Sequence, residues 1–268
     1  MNINTILVAI DIEESSSQII DFGFQLASKK GAELSFLYVQ KLDIKNPTAD
    51  QIQLQEGRLF TLIEQVEAVA QKHPNTEFKC DVMIGFPKDK VLEYTTEYDH
   101  DLIILGIHNQ NKLFNMTGIS YPLVNESTKP VILIPDSYRS KSLDHILFAI
   151  EFEFEEIDPL FDMIKLADHM DGYLTCIHVD DSKGKERPDH KIETYKRLLE
   201  PYLQEGKLEL DIINGKIADS LRIFASENEV DLIVIMKERK NWKTQYLQSS
   251  KEKKLTKKVN IPVMILNQ

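Results

Sequence analysis

The residues that could do chemistry in this chain stand directly after short apolar runs. They are Asp11 after ILVAI, Gln40 after LSFLYV, Gly85 after FKCDVMI, and Gly106, Ile107, His108 and Asn109 after LIIL. A carboxylate at Asp11 can contact a ligand, or serve as an anion against the dipole of the next helix. Gly106 can let backbone N–H groups approach a phosphate oxygen, or supply positive φ at a strand end. Asn109 tolerates the left-handed conformation about as well as any residue other than glycine. His108 has no sequence-visible Ser, Cys or paired carboxylate beside it, so it reads as a loop or packing residue rather than an acid or base. His73, His100, His145, His169, His178 and His190 show no metal-ligand spacing. His178, inside an apolar run, reads as a hydrogen-bonded core or crevice residue. Cys80 and Cys176 also lie within apolar runs, too few for a disulfide framework or a cysteine zinc cluster, and read as inert thiols of a reducing compartment.

Ten apolar runs must position these groups. In the first half they are Ile6 to Ile10, Leu34 to Val39, Phe78 to Ile84, Leu102 to Leu105 and Val131 to Ile134. In the second they are Ile146 to Ile150, Leu174 to Val179, Leu208 to Ile213, Leu232 to Ile235 and Val263 to Leu266. Continuously apolar runs such as LIIL and VILI predict parallel strands covered on both faces, and the segments between them read as helices. Ser15 and Ser16 suit the cap of the first helix, Ile19, Phe22 and Leu26 its buried face, and Gly31 its end. Asp158 and Pro159 suit the start of the corresponding helix in the second half. The halves align: Asp11 and Glu151 are 140 residues apart, while Gly85 and Gly215, like Asp101 and Asp231, are 130 apart. The expected architecture is therefore α/β, with two homologous open parallel sheets of five strands, in domains 1–138 and 139–268. Ligands of such sheets sit beyond the carboxyl ends of the strands, where connections diverge.

The order ILVAID, AELSFLYV, GFP, DLIILGIH and KPVILIP resembles the universal stress protein superfamily over nearly all of the first half. ILFAIE, GYLTCIHV, NGKIADSL, DLIVIM and IPVMIL repeat the resemblance in the second. It implies two tandem Rossmann-like domains, of the adenine nucleotide alpha hydrolase-like kind, forming a pseudo-dimer; pairing through the fifth strands, VILI and VMIL, is expected because it removes exposed sheet edges. It also implies a choice between ATP-binding and non-ATP-binding groups. The ATP-binding group carries a glycine after strand four, another three positions on, and a Gly-Ser or Gly-Thr pair ten further on. Gly106 and His108 fit that opening. Asn109 replaces the second glycine, Gly118 lies one place early, and Ser120 stands where the hydroxyl belongs, although it can equally cap the next helix. The resemblance assigns Asp11 to the adenine side and Val39 to the base pocket. In the second half Met236 and Arg239 replace the two glycines and Ser249-Ser250 the pair, which argues against nucleotide there.

With Lys+Arg 32 against Asp+Glu 43, the net charge of -11 excludes broad electrostatic capture of nucleic acid or anionic membrane. No uncharged run approaches the ~18 residues of a membrane span, so a cytoplasmic, soluble protein is expected. The run at 251–258, KEKKLTKK, reads as a solvated face. The polar loops 41–50 and 181–191 are expected to be mobile. The leading expectation is a non-catalytic stress-response protein that binds a small molecule or a protein partner, with a further homodimer open. The alternative is an ATP or AMP switch through the first domain. Slow ATP hydrolysis comes third, because no set of metal-binding carboxylates surrounds the loop. A carrier using the crevice near Met236 and His178 is the fourth reading.

Overall fold

The computed structural model describes residues 2–12, 16–41, 50–107, 120–139, 141–180, 189–237 and 261–267. Two compact units divide the described chain, the first ending at Arg139 and the second beginning at Lys141.

In the first unit β1 (Thr5–Ile10), α1 (Ser17–Lys30), β2 (Glu33–Lys41), α2 (Asp50–Ala70), β3 (Phe78–Gly85), α3 (Pro87–Glu97), β4 (Leu102–Ile107), α4 (Ser120–Glu126) and β5 (Val131–Pro135) alternate. Their strands lie in the order β3-β2-β1-β4-β5, all parallel. The second unit repeats the plan with β6 (His145–Ala149), a 3-10 turn (Phe154–Glu156), α5 (Ile157–His169), β7 (Tyr173–Asp180), α6 (Asp189–Gln204), β8 (Leu208–Asn214), α7 (Ile217–Glu227), β9 (Leu232–Met236) and β10 (Val263–Leu266). Its order is β8-β7-β6-β9-β10, again parallel. All ten expected strands are present.

Burial explains their composition. The inner strands β4, β6 and β9 are covered on both faces, so apolar residues run on without alternation. The edge strands β3 and β8 instead carry Lys79, Asp81, Glu209 and Asp211 among half-buried positions. Charges of that kind discourage pairing with another chain.

The duplication extends to backbone detail. Gly85 (φ 154) and Gly215 (φ 145) make the same turn between the third strand of each sheet and the helix that follows. At φ 145 the backbone of Gly215 is one that residues with a Cβ rarely adopt, so conformation demands glycine there. Asp101 Oδ2 accepts the N–H groups of Asn4 (2.8 Å) and Thr5 (3.2 Å), tying the entry of β1 to that of β4. Asp231 Oδ2 does the same for Asp144 and His145 (2.9 Å each) at the entries of β6 and β9. Each sheet also buries a histidine at this end, bonded to a hydroxyl at the corresponding position of its second strand. His100 Nε2 meets Ser35 Oγ at 2.9 Å, and His145 Nε2 meets Thr175 Oγ1 at 2.8 Å.

Two expected caps differ. Ser16 is the N-cap of α1, but its hydroxyl donates to the Asp11 carbonyl (2.8 Å) instead of accepting from the helix; Ser15 lies outside the described residues. Asp158 and Pro159 fall inside the first turn of α5, because the 3-10 turn ending at Glu156 starts the helical path earlier. The run 251–258 and most of the two polar loops lie outside the described residues.

Replacing Asp231 by Ala takes the acceptor from two backbone N–H groups and removes an ion pair with Lys141. Urea unfolding of D231A should show a loss of about 2–4 kcal/mol, and D101A, at a more exposed site, a smaller one. His100 is 2% exposed, and burial, with Lys79 adding to it, pushes its imidazole down to about 4. The folded state therefore resists a proton that the unfolded chain accepts near 6.5, and the stability held above that pH is lost as pH falls toward 4. In urea midpoints measured from pH 7 to pH 4, H100Q should fall less steeply than the wild type.

Candidate functional site

Register places the predicted crevice. Ile10 pairs with Tyr38 and Ala9 with Leu105, so Asp11, Val39 and Gly106 emerge together at the carboxyl ends of three adjacent strands. The Asp11 side chain faces solvent, and its carbonyl receives the Ser16 hydroxyl. Val39 is buried. Gly106 pairs with Ile134 as an ordinary extended residue and is not among the positive-φ glycines, so that reading of Gly106 is corrected. Ser120 opens α4. His108, Asn109 and Gly118 lie outside the described residues.

Two glutamines not assigned to the site now stand beside it. Gln65 on α2 donates Nε2 to the carbonyl of Ile12 at 3.0 Å, just past β1, while its Oε1 is buried without a partner. Gln40, next to Val39 at the end of β2, likewise has a buried Oε1 with no partner. A buried amide oxygen left in this state costs free energy until a donor meets it. Position in sequence marked Gln40 as a residue following a strand; nothing marked Gln65, whose role depends on where α2 crosses the sheet.

The corresponding end of the second domain is filled by its own side chains. Met236 closes β9 in register with Leu266 and is 6% exposed. A thioether there occupies space that a backbone-phosphate approach needs. Burial lowers the ammonium of the next residue, Lys237. His178 directs Nδ1 to the carbonyl of Ile150 at 3.0 Å, with a Glu151 carboxylate oxygen at 3.5 Å, as expected of a bonded crevice residue. The carboxylate of Glu156 occupies the turn after β6, where the first domain has Ser16 at the position 140 residues earlier. That substitution was visible in the run EFEFEE, but its burial was not.

Among the described residues no cluster of three or more His, Cys, Asp or Glu side chains could hold a metal ion. Cys80 is half-buried, its thiol pushed up to about 12, first by burial and then by Asp81 and Glu67. Cys176 is fully buried and raised by the same first cause. No described helix is long and apolar enough to cross a membrane.

The sequence profile of the universal stress protein family matches residues 2–135 and again 143–267. Among solved structures, a universal stress protein from Archaeoglobus fulgidus DSM 4304 superposes with a TM-score of 0.74 at 18% identity, covering 99% of this chain and 96% of that one. A functionally unknown protein from Pseudomonas aeruginosa PAO1 gives a TM-score of 0.61 at 14% identity, with 99% and 92% covered. At these identities the likeness is one of fold. No curated protein matches the chain significantly. Matched twice along its length, the chain belongs to the universal stress protein family as a tandem of two family domains.

Proposed function

We propose that this protein is a non-catalytic, regulatory binding protein of the stress response, and that it holds an adenine nucleotide, ATP or AMP, in its first domain only. The observation that carries this reading is the unequal state of the two strand-end crevices. In the first, a glycine stands at the end of β4, and the amide oxygens of Gln40 and Gln65 are buried without donors. In the second, Met236 fills the glycine position and Glu156 takes the backbone donors of the turn after β6.

The fit to an adenine nucleotide is chemical. An exocyclic amine would supply the donor that the buried amide oxygens of Gln40 and Gln65 lack, and Gly106 carries no side chain to obstruct the polar end of the ligand. Asp11, exposed at the end of β1, supplies a carboxylate for hydroxyl or amine donors. A bound nucleotide brings charge and bulk to this end of the sheet, and so a means of changing how the surface meets a partner. Hydrolysis calls for metal-binding carboxylates and a positioned water; neither Asp11 nor the two glutamines makes such a set. The reading is therefore of a ligand-responsive module, consistent with the expectation of a cytoplasmic regulator.

Calorimetry with ATP and with AMP, in magnesium, tests it. The expected result is one nucleotide per chain, affinity at least tenfold weaker in G106V, and no release of phosphate above buffer. Absence of binding at millimolar nucleotide would overturn the reading in favour of a protein-binding module. Two sites per chain would overturn its assignment to the first domain.

A further inference from the structure

In the first domain α1 packs beside α2, and a cavity of about 270 Å³ opens between them. It is lined by Ser17, Gln18 and Asp21 of α1, Val69 of α2, Lys72 of the turn that follows, and Arg139. None of Asp11, Val39 and Gly106 lines it, so it is separate from the strand-end crevice. The second domain has no such opening at the matching place. At the positions 140 residues after Asp21 and 130 after Lys72 it carries Phe161 and Tyr202, whose rings pack edge to face with centroids 5.9 Å apart. One domain closes the gap between these helices with two aromatic rings; the other keeps it open and lines it with charge.

The fold brings the two cations together from distant parts of the chain. Lys72 is set in a tight turn, its N–H donating to the Val69 carbonyl at 3.0 Å. Arg139 follows Tyr138, which is 1% exposed and meets the Phe22 ring of α1 edge to face at 5.8 Å, so the segment carrying the guanidinium is anchored. One of its nitrogens donates to the Tyr138 carbonyl at 2.9 Å. Neither cation has a carboxylate partner among the described residues, although the chain has 43 acids against 32 lysines and arginines. Lys88, Lys129 and Lys207 show the commoner arrangement, each paired with an acid. The carboxylate that lines the cavity, Asp21, is already engaged: Oδ1 lies 3.0 Å from His73 Nε2, and Oδ2 accepts Gln25 Nε2 at 3.0 Å. His73 is held for that contact by stacking on Phe24.

We propose that this cavity is a second ligand site of the first domain, for a phosphate-class oxyanion, free or as a phosphomonoester, held by Lys72, Arg139 and Ser17. Two like charges lining one cavity repel, and an anion between them removes the repulsion and adds charge-assisted hydrogen bonds. The guanidinium fork matches two oxygens of a phosphate, and an ammonium serves a third. Ser17 adds a hydroxyl, and the first turn of α1, which has no acidic side chain, presents the positive end of the helix dipole. Val69 is buried and gives the cavity an apolar wall against which the organic part of an ester can rest. An anion bound here would tie Arg139, the last described residue of the first domain, to α1 and α2. The site does not depend on whether the strand-end crevice holds a nucleotide.

The test is a titration of the full chain with inorganic phosphate, and separately with phenyl phosphate, at constant ionic strength. It is followed by NMR at the amides of Ser17 and Gln18 and at Arg139 Nε–H. Saturable shifts at these groups are expected, with affinity about fivefold weaker in K72Q and in R139Q. Both side chains are exposed, so neither change threatens the fold. K207Q, which removes an equal charge in the second domain, should bind as the wild type does. Tighter binding of phenyl phosphate identifies a phosphomonoester as the ligand; equal or weaker binding identifies phosphate itself. Shifts that never saturate, the same shifts with chloride, wild-type affinity in K72Q or R139Q, or an equal loss in K207Q would each overturn the site. Shifts confined to Asp11 and Gly106 would also overturn it, while leaving the nucleotide reading of the strand-end crevice intact.

Discussion

Covering a parallel sheet on both faces leaves the middles of its inner strands little room for polar side chains, and the rest of this protein follows from that constraint. Along β4 and β9 nearly every residue is buried, so polar chemistry is pushed past the strand ends. The two ends then divide the work. At the amino ends, Asp101 and Asp231 tie neighbouring strand entries together through backbone N–H groups, and His100 and His145 bond the hydroxyls of Ser35 and Thr175. Asp231, His100 and His145 are buried there and Asp101 is part-buried, and their bonds across neighbouring strands suit a fixed floor. At the carboxyl ends the backbone must turn, and the turns expose donors and acceptors that a ligand, a side chain or solvent has to meet.

Because the chain contains the domain twice, each half serves as a reference for the other. The paired aspartates and the paired positive-φ glycines match closely, so the two frameworks answer the same mechanical demands. Divergence is marked where the strands end. Gly106 against Met236 and Ser16 against Glu156 are changes from small or neutral to bulky or acidic, and at the second the backbone also changes, since Phe152 is left-handed and its counterpart Ile12 is not. The strand order and pairing are the same in both halves while the end groups differ. Loss of function alone gives no reason for a buried carboxylate to be placed so that three N–H contacts meet it.

The strands were legible because burial on two faces writes itself as uninterrupted apolar runs, LIIL and VILI above all, and because the repeat spacing checked each assignment against another. The fold was also legible through family resemblance in runs such as ILVAID and DLIILGIH. The site was legible only in part. Asp11, Val39 and Gly106 could be placed from strand ends alone, since register brings such residues level. Gln65 could not, because its contact with Ile12 spans 53 residues and depends on the crossing of α2. Ser16 was read as an acceptor for its helix, whereas the nearby Asp11 carbonyl turns its hydroxyl into a donor. Glu156 looked like one acid among several in EFEFEE. Its burial depends on Phe152 adopting a left-handed backbone that no pattern of residue types announces.

The buried titratable groups are not duplicated as the framework is. His100 is held neutral by burial, so a proton forced onto it opposes the folded first domain, whereas the buried Val230 stands at the corresponding position of the second. Glu156 is buried against backbone N–H groups in the second domain, where the first has Ser16. The histidine sits where strands are anchored and the glutamate where they turn, so each domain carries, beside the shared aspartates, a titratable group that the other lacks.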